Sequence, residues 1–563
     1  MQQPSAEYIR QTDEKCRSLF SRGRLYDLWD MLCRTRDAFS DRDCIIEKSQ
    51  KVWVSHTVRD LYADTHALGN ALAHDFPRGT HIAILGENSY DWIVSFFAVA
   101  CSGNVVVPLD KEQTAPEIAA LCRKADCALI LCSAAYLKTA QQTGLPLVVF
   151  SHDTGNDTIA DRIEHGRALP DADAFHPLPD DAAAIIFTSG TTGANKGVVL
   201  THKNLTANVE GVVRTNDPVY SLLSVLPINH AYELGSSILP HIYTGCVIYI
   251  NDRLRNFFRN VCECQPEFMA IVPLFAENIR RMILHDAETH GRLDDLRCRV
   301  DESRALLRRG IDRRAELFAQ ERALFGYRFP YLACGGAPLK PETASFLDAL
   351  GFPLLLGYGL TETSPIVTLN QNAGKYPASV GKPFPFTEVR IHAPDAEGVG
   401  EVYVRGDNVS PGYYNDPDAD RKSFSDGWFV TGDYGRLGNA GELYITGRKK
   451  NLIILPNGKN IFPEELEYFF TSGVEAIRDA VVFESTRGSA DDESAVLVLA
   501  VTLHDGADAQ SLEMIREAIE RRNRELPGYK QVQDIQFSFA PFARTSTKKI
   551  IRKKVKEQYE SKI

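Results

Sequence analysis

The sequence has no Cys-x-x-Cys pair. Twelve cysteines are scattered along 563 residues, with only Cys262 and Cys264 close together. Neither zinc nor iron–sulfur ligand spacing is present, and the thiols read as the reduced cysteines of a cytoplasmic protein. Net positive charge is absent too: 63 Lys and Arg against 74 Asp and Glu leave −11. That balance excludes a general nucleic-acid binder and disfavours adhesion of the whole chain to an anionic membrane, while local basic patches remain able to touch one. The first residues, Met1-Gln2-Gln3-Pro4-Ser5-Ala6-Glu7, lack the apolar core of a secretion signal. No uncharged run reads as a membrane span. The nearest, Trp92 to Leu109, contains Ser95, Ser102, Gly103, Asn104 and Pro108, and predicts a helix ending near Gly103 followed by a strand at Val105-Val106-Val107. No internal repeat suggests a solenoid.

What is present is globular in composition, 44% hydrophobic and 24% charged, in a chain too long for one core. From about residue 50 to 150 helical and strand-like segments alternate: helices at 58–74, 89–101 and 115–124, strands at 81–85, 105–108 and 128–132. This is the βαβ rhythm of a parallel, helix-covered sheet. Later strands at 222–226, 247–250 and 269–272 predict a second layered lobe. Residues 291–325 are rich in arginine, interleaved with leucine and diluted by Asp294, Asp295, Asp301, Glu302, Asp312 and Glu316; they read as solvated surface helices broken at Gly310 rather than a membrane-facing face. From Gly400 the texture turns antiparallel, with strands at 401–405 and 441–445 and a turn at Pro411-Gly412. Beyond Lys450, strand signals at 480–483 and 495–503 and a helix at 509–522 suffice for a small second domain.

Five stretches could carry chemistry. Thr188-Ser189-Gly190-Thr191-Thr192-Gly193-Ala194-Asn195-Lys196-Gly197 follows the apolar strand Ala182–Phe187. Its glycines let the backbone approach an anion, and its N–H groups, hydroxyls and lysine offer donors to phosphate. It is neither a Walker A loop, whose lysine follows glycine and precedes Ser or Thr, nor a dinucleotide fingerprint. Leu226-Pro227-Ile228-Asn229-His230-Ala231-Tyr232-Glu233 sets a histidine three residues before a carboxylate, a pair that taken alone is more often a structural contact than a site. Ala333-Cys334-Gly335-Gly336-Ala337-Pro338 packs small residues after a strand, as a plain turn or as a platform for a flat ring. Gly357-Tyr358-Gly359-Leu360-Thr361-Glu362-Thr363 supplies an aromatic face and a carboxylate suited to Mg²⁺. Trp428-Phe429-Val430-Thr431-Gly432-Asp433 puts an acid on a loop where it could accept from two vicinal hydroxyls, and Arg448 could add planar donors to the same group.

The order of these strings, together with GEVYVRG, GRKKNLIILPNGKNIFPEELE and TSTKKIIR, resembles the adenylate-forming enzymes over essentially the whole chain, and among them most resembles long-chain fatty acid–CoA ligases. The resemblance implies an α/β fold: a large N-terminal domain, residues 1–449, of layered α/β lobes plus a β-rich subdomain, and a small mobile α+β C-terminal domain, residues 450–563. It implies ATP, Mg²⁺ and CoA, a carboxylic acid substrate, and acyl-adenylate chemistry. Thr188, Ser189, Gly190, Thr191, Thr192, Gly193 and Lys196 would hold the triphosphate, with Thr191 and Glu362 near Mg²⁺. Gly336, Ala337, Tyr358, Gly359 and Thr361 would frame the nucleotide, and Asp433 and Arg448 would bind ribose. His230 would stand between acyl pocket and reacting carboxylate, Lys450 would be the hinge, and Gly458 and Lys459 would border the pantetheine tunnel. Aligning Ile550 and Arg552 with the family tail makes Lys549, rather than Lys548, the catalytic lysine; without the resemblance this tail is simply a basic helix. Asn195 stands where proline is usual, and Asn451 where an acid is usual. Other readings keep the adenylation step but alter the acid or the second half of the reaction: loading of an acyl carrier protein, activation of an amino acid with Glu233 as the amine's partner, or a luciferase-like oxygenase. A non-catalytic nucleotide binder fits less well.

Overall fold

The computed structural model describes residues 6–150, 157–172, 175–188, 195–326, 328–371, 376, 378–454, 460–474, 476–485, 496–503, 509–544 and 550–560. Two large sheets organise the first three quarters of the chain. The first has seven strands in the order Gly412–Tyr413, Lys196–Thr201, Ala182–Thr188, Val105–Pro108, His81–Leu85, Cys127–Cys132, Leu147–Val149. Its five later strands in that order run parallel, and the first two add antiparallel to the edge. The second has nine strands, with Ser221–Ser224, Phe268–Ile271, Tyr331–Cys334 and Leu354–Gly359 parallel at its centre. The βαβ rhythm therefore yields two layered lobes, as the spacing predicts. One feature departs from it: the hairpin Asp43–Ser49 and Val52–Thr57 joins the second sheet, where Ile45 and Ile46 pair with Ile248 and Tyr249 some two hundred residues away.

The uncharged run near residue 92 is the helix Tyr90–Cys101, started by Ser89, whose hydroxyl accepts from the Trp92 N–H at 3.2 Å. Every residue of it is buried, Asp91 only partly, because it packs against strands of both sheets; a helix apolar on nearly every side is here a core helix. Among the described residues no helix is long and apolar enough to cross a membrane. The arginine-rich stretch forms Leu293–Arg308, Arg314–Leu317 and Ala319–Ala323, interrupted around Gly310, with its arginines largely paired to neighbouring acids.

A third, antiparallel sheet follows: Thr387–His392, Gly400–Gly406, Trp428–Leu437 and Phe424–Ser425, with Leu443–Arg448 also on Trp428–Leu437. The predicted turn at Pro411-Gly412 proves otherwise, since Gly412 and Tyr413 pair with Val199 and Val198 and extend the first sheet. Beyond Lys450 the strands Ile477–Ser485, Val496–Leu503 and Asp534–Ser538 form a separate sheet. Its side chains alternate between two small cores: Ala480, Val482, Leu499 and Val501 meet Leu466, Phe470 and Ile519, whereas Val481, Phe483, Val498 and Ala500 meet Val555 and Tyr559. The last helix, Arg552–Glu560, is tied down by the Arg552 guanidinium, both of whose terminal nitrogens donate to the Glu467 carboxylate.

Candidate active site

In open α/β sheets, the loops leaving the carboxyl ends of parallel strands form the ligand crevice. His230 lies in the loop after Ser221–Ser224, Gly336 and Ala337 follow Tyr331–Cys334, and Tyr358 and Gly359 end Leu354–Gly359. From the first sheet, Asp110 follows Val105–Pro108 and Thr188 ends Ala182–Thr188. The two edges are stitched together by Asn88: its amide donates to the Leu226 carbonyl at 2.7 Å and accepts from the Ile228 N–H at 3.2 Å. Asp110 reaches within 3.9 Å of His230 Nε2. One sheet thus places the histidine and the other supplies the carboxylate facing it.

Asp433 anchors the centre. It lies within the strand Trp428–Leu437, not on a loop as its sequence context implied, and sits directly opposite Arg448 on the neighbouring strand. That register sets Arg448 Nε 2.8 Å from one carboxylate oxygen, and the Tyr358 hydroxyl donates to the other at 2.8 Å. The Asp433 side chain is 3% exposed against 40% for Arg448. Burial first, and then the Asp433 charge, push the Tyr358 phenol well above its ordinary value. The Tyr358 and Arg448 donors thus fix the orientation of the Asp433 carboxylate.

A second cluster stands where the strands Ala182–Thr188 and Lys196–Thr201 are joined. Thr188 and Lys196 face each other across the last pair of those strands. Lys196 Nζ lies 4.5 Å over the Tyr413 ring, whose hydroxyl donates to Glu362 at 2.8 Å. Burial and the Glu362 charge raise the Tyr413 phenol. The segment with Thr361 and Glu362 is fixed from behind by Asn408, whose amide donates to the Thr363 and Ile366 carbonyls at 3.1 and 2.9 Å. Glycine is needed at Gly359, where a Cβ would sit 1.8 Å from the Pro365 carbonyl oxygen. Across the sheet, Gly335 admits the Tyr232 ring, 3.0 Å from where its Cβ would be, and leaves Gly336 and Ala337 exposed.

Glu233 takes a different part from the one the amino-acid reading needs. It is 1% exposed, accepts from Ser224 Oγ at 2.6 Å and Ser237 Oγ at 3.0 Å, and burial pushes its carboxyl up to about 7. It is a core acid held by two hydroxyls. Lys450 lies exposed in the turn Lys449–Asn451, with Lys449 Nζ 2.8 Å from Glu401 and the Asn451 amide donating to Glu464. Ser189, Gly190, Thr191, Thr192, Gly193, Gly458, Lys459 and Lys549 lie outside the described residues. Among the described residues no group of three or more His, Cys, Asp or Glu side chains converges as a self-sufficient metal site. A cation at Glu362 would therefore share its coordination with substrate oxygens, which is how Mg²⁺ is ordinarily held beside phosphates. Tyr413, Asn88, Asp110 and Asn408 carried no signal in the sequence. Contacts between distant segments, which periodicity does not report, mark them.

Two layered α/β lobes, a third antiparallel sheet and a small separate C-terminal sheet define an α/β protein whose strand ends carry the candidate residues. The family model of AMP-binding enzymes matches residues 34–414, and that of the AMP-binding enzyme C-terminal domain matches residues 450–563; the chain belongs to the AMP-binding enzyme family. Its relatives include Long-chain-fatty-acid–CoA ligase 6 of Mus musculus, 28% identical over 463 residues, 74% of this chain and 66% of the relative. They also include Long-chain-fatty-acid–CoA ligase FadD13 of Mycobacterium tuberculosis, 27% identical over 525 residues, 90% of this chain and 95% of the relative. The chain thus spans just under two thirds of the mouse protein but nearly all of the mycobacterial one. The fold is shared with ATP-bound MatB from Rhodopseudomonas palustris, with a TM-score of 0.74 at 23% identity over 94% of this chain and 98% of that one.

Proposed function

We propose that this chain is an ATP-dependent acid–thiol ligase that activates a medium- or long-chain fatty acid as an acyl-adenylate and transfers the acyl group to CoA. The observation that carries the reading is Asp433: a carboxylate oriented by Tyr358 and Arg448, of a chemistry suited to accept from the vicinal hydroxyls of a ribose. The names of the relatives support a fatty acid as the substrate. The occupied, buried state of Glu233 removes the counter-charge that an amino acid would want.

The reaction has two halves. A carboxylate oxygen attacks the α-phosphorus of ATP and the bond to pyrophosphate breaks. The CoA sulfur then gives up its proton, attacks the acyl carbon, and the bond to AMP breaks. Lys196 and the hairpin hold the triphosphate, Glu362 faces the phosphates, and His230 lines the path of the acid. A bound Mg²⁺ would neutralise phosphate charge beside Glu362. Lys549 acts in the first half by preorganised electrostatic stabilisation of the charge that builds around phosphorus. Residues 1–449 and 450–563 act as the two domains, and Lys450 is the hinge between them.

Pyrophosphate release, screened across carboxylic acids of increasing length with and without CoA, tests the proposal. Release that depends on a fatty acid, with AMP and acyl-CoA formed together when CoA is present, is the expected outcome. An adenylate that forms but is discharged only by an acyl carrier protein would replace CoA as acceptor, and absence of pyrophosphate release with any acid would overturn the reading.

A further inference from the structure

Tyr413 belongs to none of the stretches whose spacing suggests chemistry, yet it is the side chain that joins Lys196 to Glu362. Its two-residue strand, Gly412–Tyr413, pairs with Val199 and Val198 and so lies along the strand that begins at Lys196. The phenol is 7% exposed and held from several sides. Its N–H donates to Asp420 Oδ1 at 2.8 Å, and its ring meets Phe424 edge-on with centroids 6.1 Å apart. Gly412 admits that carboxylate, since a Cβ there would sit 2.7 Å from Asp420 Oδ1. Before it, Ser410 Oγ donates to the Val199 carbonyl at 2.7 Å; after it, the Tyr414 N–H donates to the Gly197 carbonyl at 2.7 Å. The ring is therefore a fixed object, set by packing that involves neither Lys196 nor Glu362.

Two functional groups rest on this object, one from each lobe. Lys196, from the seven-stranded sheet, places Nζ 4.5 Å over the ring. Glu362, in the turn after Leu354–Gly359 of the nine-stranded sheet, accepts the Tyr413 hydroxyl at Oε1, 2.8 Å away. Its backbone is tied to the same segment, because the Ser410 N–H donates to the Glu362 carbonyl at 2.8 Å. An aromatic face confines an ammonium on its four-carbon stem without neutralising it, whereas a carboxylate in that place would compete with phosphate for the charge. A hydroxyl donating to one carboxylate oxygen fixes the plane in which the group meets a cation, the usual part of a residue that supports a metal ligand.

We propose that Tyr413 is a positioning residue for the nucleotide: its ring confines the Lys196 ammonium for phosphate, and its hydroxyl orients the Glu362 carboxylate for the divalent cation that accompanies the phosphates. The role rests on the nucleotide site proposed above. It divides one side chain into two separable parts, a ring that acts on the lysine and an oxygen that acts on the acid.

Calorimetry of ATP binding to the full-length protein, in EDTA and across a series of Mg²⁺ concentrations, reads the two parts separately. Tyr413→Phe keeps the ring and removes the hydroxyl. It is expected to raise the Mg²⁺ concentration for half-maximal enhancement of ATP binding about tenfold or more, with the affinity in EDTA unchanged. Tyr413→Leu removes both parts and is expected also to weaken binding in EDTA about two- to tenfold, as freeing a long side chain that binding must then immobilise does. In a Glu362→Gln background, Tyr413→Phe should add no further shift in Mg²⁺ dependence. An unaltered Mg²⁺ dependence in Tyr413→Phe, or a shift that persists undiminished beside Glu362→Gln, would overturn the hydroxyl's role. Equal affinities of the phenylalanine and leucine variants in EDTA would overturn the ring's role. Should the leucine variant fail to fold, the near-isosteric phenylalanine variant decides the proposal through the Mg²⁺ series. Failure of the unaltered chain to bind ATP under either condition would overturn the nucleotide site and this role together, whereas native binding matched by every Tyr413 variant would overturn this role alone.

Discussion

Replacing Asp433 by asparagine tests the centre of the site. The native carboxylate receives two donors at 2.8 Å, the Tyr358 hydroxyl and Arg448 Nε. An asparagine retains one oxygen and must turn its NH₂ toward one of these donors. The phenol can rotate to accept; the guanidinium cannot. The substitution therefore sacrifices the Arg448 bond. Because Arg448 is 40% exposed, water screens and replaces that partner, and the loss in the free protein is about 1 kcal/mol. The nucleotide complex loses more, since hydrogen bonds to a charged acceptor contribute about 1.5–3 kcal/mol, or a factor of roughly 10 to 100 in affinity. Pyrophosphate release measured against ATP at saturating acid should show the KM for ATP raised by about that factor and the KM for the acid unchanged. Tyr358→Phe, which removes a donor and leaves the charge, should cost less. A KM for ATP within about twofold of the original in the Asp433 variant, or an equal rise in the KM for the acid, would refute the ribose assignment.

Three further outcomes are expected. Lys549→Ala should slow adenylate formation by about 10²–10³ while sparing thioester formation from supplied acyl-adenylate; equal loss of both halves, followed by rapid-quench assay, would remove Lys549 from its role. Arg552→Ala strands the Glu467 carboxylate in the C-terminal core and should cost about 3–5 kcal/mol in urea unfolding, a loss that Arg552→Lys only partly restores. Asp91, half-buried at the start of its helix, is pushed up to about 7 by desolvation, with Glu47 and Asp64 adding to the effect. Its folded form therefore holds a proton that the unfolded chain has already released above about pH 4, and stability falls as pH rises from about 4 to 7. Asp91→Asn should leave melting near pH 4 unchanged and raise it near pH 8, by up to about 3 kcal/mol after allowing for the helix N-terminus that favours the charge. An unchanged melting profile above pH 7 would refute that.

Much of the fold was legible because local patterning decides it. The strands His81–Leu85, Val105–Pro108 and Val247–Ile250 and the helix Ala115–Lys124 occupy the residues their periodicity marks, since burial of one face imposes its own spacing. The helix Tyr90–Cys101 was recognisable by its start at Ser89 and its stop before Gly103, and its uniform apolarity is explained by sheets on both sides. The hairpin Asp43–Thr57 gave no sign of its destination. Pairing of Ile45 with Ile248 depends on side chains meeting across long chain separation, which no local window contains. The turn expected at Pro411-Gly412 fails for the same reason: the two-residue edge strand Gly412–Tyr413 exists only because Val198 and Val199 lie beside it.

The site divides along the same line. The sequence by itself determined the chemistry on offer: small and hydroxyl residues around 188–197, the acids Glu362 and Asp433, the base Arg448, and their order, because residue type and short-range spacing are written in the chain. Only the tertiary structure decided which of them meet. The antiparallel register that sets Asp433 opposite Arg448, the phenol of Tyr413 between Lys196 and Glu362, and Asn88 joining two sheets at the His230 loop all arise from pairing and packing between distant segments. Glu233 shows the converse: a carboxylate three residues from His230 looked available for binding, and the fold used it to satisfy two buried serines.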